Sequence, residues 1–135
     1  MQIIYAYLDA SELRGTTQAD YLVSVEGDLQ ILDDGHCVYE EPAFPVVELA
    51  RSLLQWISEP GRGDFEFDSM SFEELGAVAV RRAESGWVFS SIFSPGSASS
   101  VVDWAEVERC IRSFVTRVEA DLRGLGVDPN EVIGK

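Results

Sequence analysis

The sequence predicts an α+β fold in which an antiparallel sheet of about six to seven strands carries two helices packed on one face. Short runs of alternating residues between turn residues predict the strands, and two longer stretches with a helical period predict the helices. The chain has 135 residues, of which 46% are apolar. That length and composition predict a single α+β domain, residues 1–135, around one core.

The strands of the first half are separated by closely spaced turn residues. Residues 2–8 predict a covered first strand because both of its faces are apolar. A polar connection, residues 9–20, follows it. Three further runs are joined by turns so short that they must connect neighbours, which predicts an antiparallel meander. These runs are residues 21–27, 28–35 and 36–41.

Residues 45–57 predict the first helix. Pro45 suits the first helical position, and Phe44 ends a stiff, extended lead-in that it anchors to the core. Glu48 is expected to point away from the apolar face, which recurs with a helical period. That face contains Val46, Ala50, Leu53, Leu54 and Ile57.

The segment after this helix alternates apolar and acidic residues. Phe65 and Phe67 are predicted to face the core, which sends Glu66 and Asp68 to the opposite side of the strand. The alternation stops at residues 69–74, which predict a turn.

Two more strands are predicted around a hairpin turn, at residues 75–82 and 86–93. Alternation along the second of them places Trp87, Phe89 and Phe93 on one face. These strands complete the predicted sheet.

The second helix has the clearest start signal in the chain. Asp103 followed three residues later by Glu106 forms a capping-box pattern, so the helix is predicted over residues 104–124. After this helix, residues 127–131 predict a turn and an unanchored end. The helix over residues 104–124 should itself bury one apolar stripe. Its members are Trp104, Val107, Ile111, Phe114, Val115, Val118 and Leu122.

Net charge is the extreme property of the sequence. Residues 1–80 contain 16 acidic residues and three arginines, a net charge of −13, whereas residues 81–135 have a net charge of −1. Such a field repels nucleic acid and anionic membranes and speeds encounter with a basic partner. The alternative is that the carboxylates only maintain solubility. The N-terminus lacks the basic region of a signal peptide, so a cytoplasmic protein is expected.

The sequence contains few residues or motifs that are typical of a catalytic site. His36 is the only histidine and stands in no recognised hydrolase pattern, and no phosphate-binding glycine loop is present. Adjacent carboxylates are expected by chance in so acidic a chain, so a small enzyme using paired carboxylates is the weaker alternative. Cys37 and Cys110 are predicted to be buried, reduced thiols. No cofactor and no metal are expected.

Protein binding is the function class that remains. Acidic pairs beside aromatic residues are typical of surfaces that associate quickly with a basic protein, because charge speeds association and buried aromatics prolong the complex. The alternative within this class is another regulatory or scaffolding interaction domain. The predicted partner-binding residues are Asp33, Asp34, Glu40, Glu41, Glu66, Asp68, Phe72, Glu73 and Glu74.

Two runs carry a resemblance to known proteins. EEPAFPVVELARSLLQW and FEFDSMSFEE, together with small size, acidity and basic residues that are all arginine except Lys135, resemble small uncharacterised acidic α/β proteins of high-GC bacteria. Some proteins of that kind resemble toxin-immunity proteins, which neutralise a cognate toxin by capping its active site. The resemblance implies an inhibitor of a basic toxin or enzyme.

Overall fold

The computed structural model describes residues 1–61 and 63–134. This part of the chain forms six strands and four helices, so the α+β class is confirmed. The strands are β1 (Gln2–Asp9), β2 (Glu26–Asp33), β3 (His36–Phe44), β4 (Phe65–Glu66), β5 (Ala79–Ala83) and β6 (Gly86–Ser90). The helices are α1 (Gln18–Ser24), α2 (Val46–Ser58), α3 (Trp104–Gly124) and α4 (Pro129–Val132).

The prediction of one sheet with six to seven strands was wrong. The strands form two antiparallel sheets of three, in the orders β1-β2-β3 and β4-β5-β6. The sheets do not merge at β6 because the chain after β6 folds back on that strand. Trp87 bridges to Val102, and Ser90 bridges to Ala98. Loop residues therefore occupy the edge of β6 that is not paired with β5.

The run at residues 21–27, predicted as a strand, begins inside α1. Thr17 is the N-cap of α1, and its side chain and that of Asp20 satisfy each other's backbone N–H groups in a capping box. The hydrogen bond from the Thr17 hydroxyl lowers the pKa of Asp20. The meander therefore consists of β1, β2 and β3, with Gln2 opposite Leu32.

The two long helices are confirmed. The Asp103 side chain accepts a hydrogen bond from the Glu106 backbone N–H at 2.9 Å, and α3 begins at Trp104. The second bond of the predicted capping box, from the Asp103 backbone N–H to the Glu106 side chain, is not formed. The Glu106 carboxylate instead binds the Met1 ammonium and Arg109.

The core lies between the first sheet, α2 and α3, and extends under the second sheet. The Tyr5 ring on β1 meets the edge of Phe114 on α3 at 6.0 Å between centroids. Trp56 on α2 contacts both Trp87 on β6 and Trp104 on α3. These contacts belong to one cluster of buried side chains that draws on both sheets and all four helices.

The C-terminal segment corrects a further expectation, since it is anchored. Val132 and Ile133 are buried. The Gln18 side chain donates to the Val132 carbonyl at 2.9 Å, and Arg51 donates to the Ile133 carbonyl at 3.1 Å. These donors satisfy carbonyl groups at the end of α4 that have no partner within so short a helix.

The two cysteines differ in environment. Cys110 is buried as predicted, and burial raises the pKa of its thiol to about 11. The same prediction was wrong for Cys37, which is exposed on β3. Cys37 is opposite Leu32 in the ladder, beside a register shift that changes which residues of β3 face the core.

Candidate functional site

An exposed apolar surface lies beside the second sheet, and we call it the acid-rimmed patch. It comprises Phe72, Leu75, Ile92 and Phe93. Leu75 is 52% exposed, Phe93 43% and Ile92 38%, while Phe72 is half-buried beneath them. The Phe72 and Phe93 rings are 5.7 Å apart between centroids. Side chains from two loops, one before β5 and one after β6, therefore meet at Phe72 and Phe93, and Leu75 and Ile92 add exposed apolar surface from the same two loops.

Backbone hydrogen bonds hold these two loops together. The Ile92 N–H donates to the Gly76 carbonyl, and the Gly76 N–H donates to the Phe67 carbonyl, both at 3.0 Å. Gly76 has a φ of +91°, and a Cβ at this position would stand 3.1 Å from Cγ2 of Ile92. Glycine is favoured here because the backbone conformation and the close approach of Ile92 both disfavour a side chain.

The patch is continuous with the aromatic core. The Phe72 ring is 5.5 Å from Phe44, and Phe44 is 5.6 Å from Phe67, measured between centroids. Both of these deeper rings are fully buried, as predicted for Phe44 and Phe67. The exposed rings therefore rest on a close-packed base that limits their movement.

Acidic residues flank Phe67, Phe72 and Leu75 in the sequence, and they form the rim of the patch. Glu66 forms an ion pair with Arg81 at 2.8 Å, and Glu66 Oε2 lies 3.9 Å from the Cβ position of Gly76. Asp68, Glu73 and Glu74 are exposed. Within residues 1–61 and 63–134, these three acids form no ion pair. Among the described residues, the rim thus presents three acids without an ion-pair partner.

The remaining predicted partner-binding residues lie elsewhere. Asp33 accepts a hydrogen bond from the Ser100 backbone N–H at 2.7 Å, and this bond lowers its pKa. Asp34 is exposed in the turn that follows β2. Asp33 therefore contacts the loop that leads to α3.

Glu40 and Glu41 separate because neighbouring residues of a strand point to opposite faces. Glu40 accepts a hydrogen bond from the Gln30 side chain at 3.3 Å on the exposed face of the first sheet. Glu41 accepts from the Tyr39 hydroxyl at 3.0 Å. Burial, and then this bond to Glu41, raise the pKa of Tyr39. Glu41 lies near the second loop of the patch, because the Tyr39 hydroxyl that binds it also interacts with Ser91, the residue before Ile92.

Three members of the patch were not among the predicted partner-binding residues. Leu75 and Phe93 were assigned to strands, but β5 begins at Ala79 and β6 ends at Ser90, so both lie in loops. Ile92 reaches the patch through its backbone bond to Gly76, sixteen positions earlier in the chain. A signal was present in residues 92–96, where Ile-Phe-Ser-Pro-Gly places two large apolar residues directly before turn residues.

Glu48 also lies in an environment different from the one predicted. Its side chain is buried rather than directed away from the core, with 5% exposure. Its carboxylate accepts from the Ser69 hydroxyl at 2.6 Å and from the Met70 backbone N–H at 2.9 Å. The signal for burial was local, since Glu48 is the one polar residue in the run Val46 to Ala50, which is buried throughout.

A second concave surface lies between α2 and α3, and we call it the helix groove. Its volume is about 910 Å³. Apolar side chains, including Leu54 and Val115, line it. Among the described residues, its charged members are two arginines and two glutamates, whose charges cancel. They are Arg51, Glu59, Arg112 and Glu119.

Catalytic and metal-binding groups are sparse in the described ranges. His36 is exposed, and its Nε2 lies 3.5 Å from the Ser97 hydroxyl. The neighbouring Asp33 directs an oxygen to the Ser100 backbone, so no hydrogen bond from His36 to Asp33 orients the ring. No cluster of three or more histidine, cysteine or acidic side chains among the described residues is arranged to hold a metal ion.

Among the residues that the structure describes, no helix has both the length and the apolar character needed to cross a membrane. No curated protein and no solved structure matches the chain significantly. A family model does match, over residues 1–124, and this range includes the whole acid-rimmed patch and both long helices. The chain therefore belongs to the DUF7878 family, which is described as a domain of unknown function.

Proposed function

We propose that the protein is an acidic protein-binding module and that the acid-rimmed patch binds a basic partner protein. The observation that carries this proposal is the exposed apolar patch, with three rim carboxylates that form no ion pair within residues 1–61 and 63–134. Exposed Phe93 and Leu75 supply apolar area whose burial favours a complex. The rim acids favour partners with lysine or arginine around an apolar or aromatic side chain.

The partner class that fits best is a basic toxin or enzyme, which this protein inhibits as an immunity protein does by covering the active site. Active sites that bind anionic substrates carry clustered basic residues, so an acidic cap competes for the same charges. The regulatory or scaffolding alternative uses the same surface. It differs in leaving the activity of the partner unchanged.

The first experiment identifies the partner through the patch itself. A photo-crosslinking phenylalanine analogue replaces Phe93 in the source cell, and a matched variant carries it at Leu125, which is 46% exposed and lies outside the patch. We expect a cross-linked basic protein from position 93 and none from position 125. Equal capture from both positions would show that the contact is not made by the patch.

The captured protein is then purified and measured directly. We expect its association rate constant to fall steeply as salt rises, because rim carboxylates screened by salt no longer attract it. Its activity, assayed with and without this protein, separates inhibition from scaffolding. An association rate that is insensitive to salt would contradict the proposal of a basic partner.

A further inference from the structure

Glu48 lies beneath the loop that carries much of the acid-rimmed patch. It belongs to the first turn of α2, where the helix dipole favours a negative charge. Both of its carboxylate oxygens accept hydrogen bonds from the loop between β4 and β5, one from the Ser69 hydroxyl and one from the Met70 backbone N–H. The Ser69 hydroxyl oxygen also accepts from the Ser71 backbone N–H at 2.9 Å.

A buried carboxylate is retained at low cost only when its hydrogen-bonding capacity is satisfied. No basic side chain pairs with Glu48 among the residues that the structure describes. The loop therefore supplies the hydrogen bonds that this charge requires, while the charge fixes the loop. The buried carboxylate and the loop thus stabilise each other, and this couples α2 to the turn directly preceding Phe72.

We propose that Glu48 is a positioning residue that holds residues 69–76 in the conformation that binds the partner. The inference rests on the proposed function of the acid-rimmed patch. A loop fixed before binding loses less conformational freedom on association, so the complex is tighter than one made by a mobile loop. Glu48 contributes this without touching the partner, because its side chain is buried.

The test compares Glu48→Gln with a control of similar stability. Glutamine keeps the size of the side chain but replaces one accepting oxygen with an NH₂ group, which cannot accept from Met70 or Ser69. Val118→Ala on α3, which shortens a buried side chain far from the loop in sequence, provides the control. The Ser69→Ala variant removes the hydroxyl that donates to Glu48 and accepts from the Ser71 backbone N–H, and it keeps the Met70 bond and the carboxylate. It tests the same contact if Glu48→Gln fails to fold.

Amide hydrogen exchange and partner binding are the two measurements. In Glu48→Gln we expect exchange in residues 69–76 to rise about tenfold or more while α3 stays protected, and affinity for the protein cross-linked at position 93 to fall about tenfold. Ser69→Ala should show smaller changes of the same kind. Val118→Ala should leave the exchange of the loop unchanged.

Two outcomes would overturn the inference. Unchanged exchange in residues 69–76 would show that Glu48 does not hold the loop, and a loosened loop with wild-type affinity would show that holding it does not matter for binding. Failure of the proposed function gives a different result, since Phe93→Ser would then bind the same protein as tightly as wild type.

Discussion

The acid-rimmed patch and the helix groove both combine apolar surface with charged side chains, yet their charges differ in arrangement. The groove has two arginines and two glutamates. The patch rim has four acids, and within the part of the chain that the structure describes one of them, Glu66, pairs with a cation, Arg81. A partner approaching the groove meets a locally neutral surface, whereas one approaching the patch meets excess negative charge. Charge therefore distinguishes the two surfaces where apolar character does not.

The two surfaces also differ in how they are built. The groove lies between two long helices, whose packing follows from stripes with a helical period. The patch is made by loops, and three kinds of contact fix it: the bonds through Gly76, the stacked rings beneath Phe72 and the Glu48 carboxylate. Loops that are fixed in this way are typical of binding surfaces on a rigid scaffold.

The largest expected effect comes from removing an apolar side chain of the patch. Phe93→Ser should weaken partner binding by about 30-fold, or about 2 kcal/mol, because a ring near the centre of the contact is lost. Leu125→Ser removes a side chain of similar exposure outside the patch and should change affinity less than twofold. Surface plasmon resonance with the cross-linked protein measures both values.

Stability measurements accompany this comparison. Phe93 is 43% exposed, so its replacement should lower the free energy of unfolding by no more than about 1 kcal/mol. A weak complex accompanied by a large loss of stability would mean that Phe93 acts through the core. If the Leu125 variant binds as weakly as the Phe93 variant, the loss of affinity is not specific to the patch.

A smaller effect is expected from charge reversal. Changing Glu73 and Glu74 together to lysine should lower the association rate constant about tenfold at low salt, with a much smaller difference at high salt. The same double change at Glu59 and Glu119, the acids of the helix groove, should leave association nearly unchanged. Equal slowing by both double variants would show that total charge, and not the rim, attracts the partner.

The helices were predictable where local signals and packing agree. α3 begins at Trp104 because Asp103 caps it, and its apolar period extends to Leu122. α1 was missed because residues 21–27 alternate like a strand, while the deciding signal lies earlier in Thr17 and Asp20. A seven-residue helix has too few turns to show its period, so its cap carries more information than its pattern.

The predictions of the sheet and of the site failed for a different reason. Both features depend on contacts between residues that are distant in sequence. Local alternation identified most strands, but it does not show that residues 98–102 pair with the outer edge of β6. The acidic rim was predicted because its residues are close in sequence. Ile92 was not, because the backbone bond to Gly76 that places it follows from the fold and not from any local pattern.

The smallest expected effect concerns a carboxylate that, unlike most acids of the patch rim, has cationic partners. Glu106 lies on α3 and accepts hydrogen bonds from Arg109 and from the Met1 ammonium, each at 2.8 Å. These bonds, with the Arg109 bond first, lower the pKa of Glu106 from its ordinary value of 4.5 to about 2. Since the folded state holds the ionised form, the stabilisation is present above pH 4.5 and is lost as pH falls toward 2.

Glu106→Gln should therefore lower the free energy of unfolding by under about 1 kcal/mol near neutral pH, because the site is partly exposed and solvent screens the charges. The difference from wild type should shrink as the pH is lowered from 4.5 to 2, as measured by urea unfolding at each pH. Glu73→Gln is the control, since Glu73 has no ion pair in the described ranges, and it should not reproduce this loss. A difference that grows on acidification would mean that the Glu106 charge opposes folding, and the contrast between a paired acid and an unpaired rim acid would then fail.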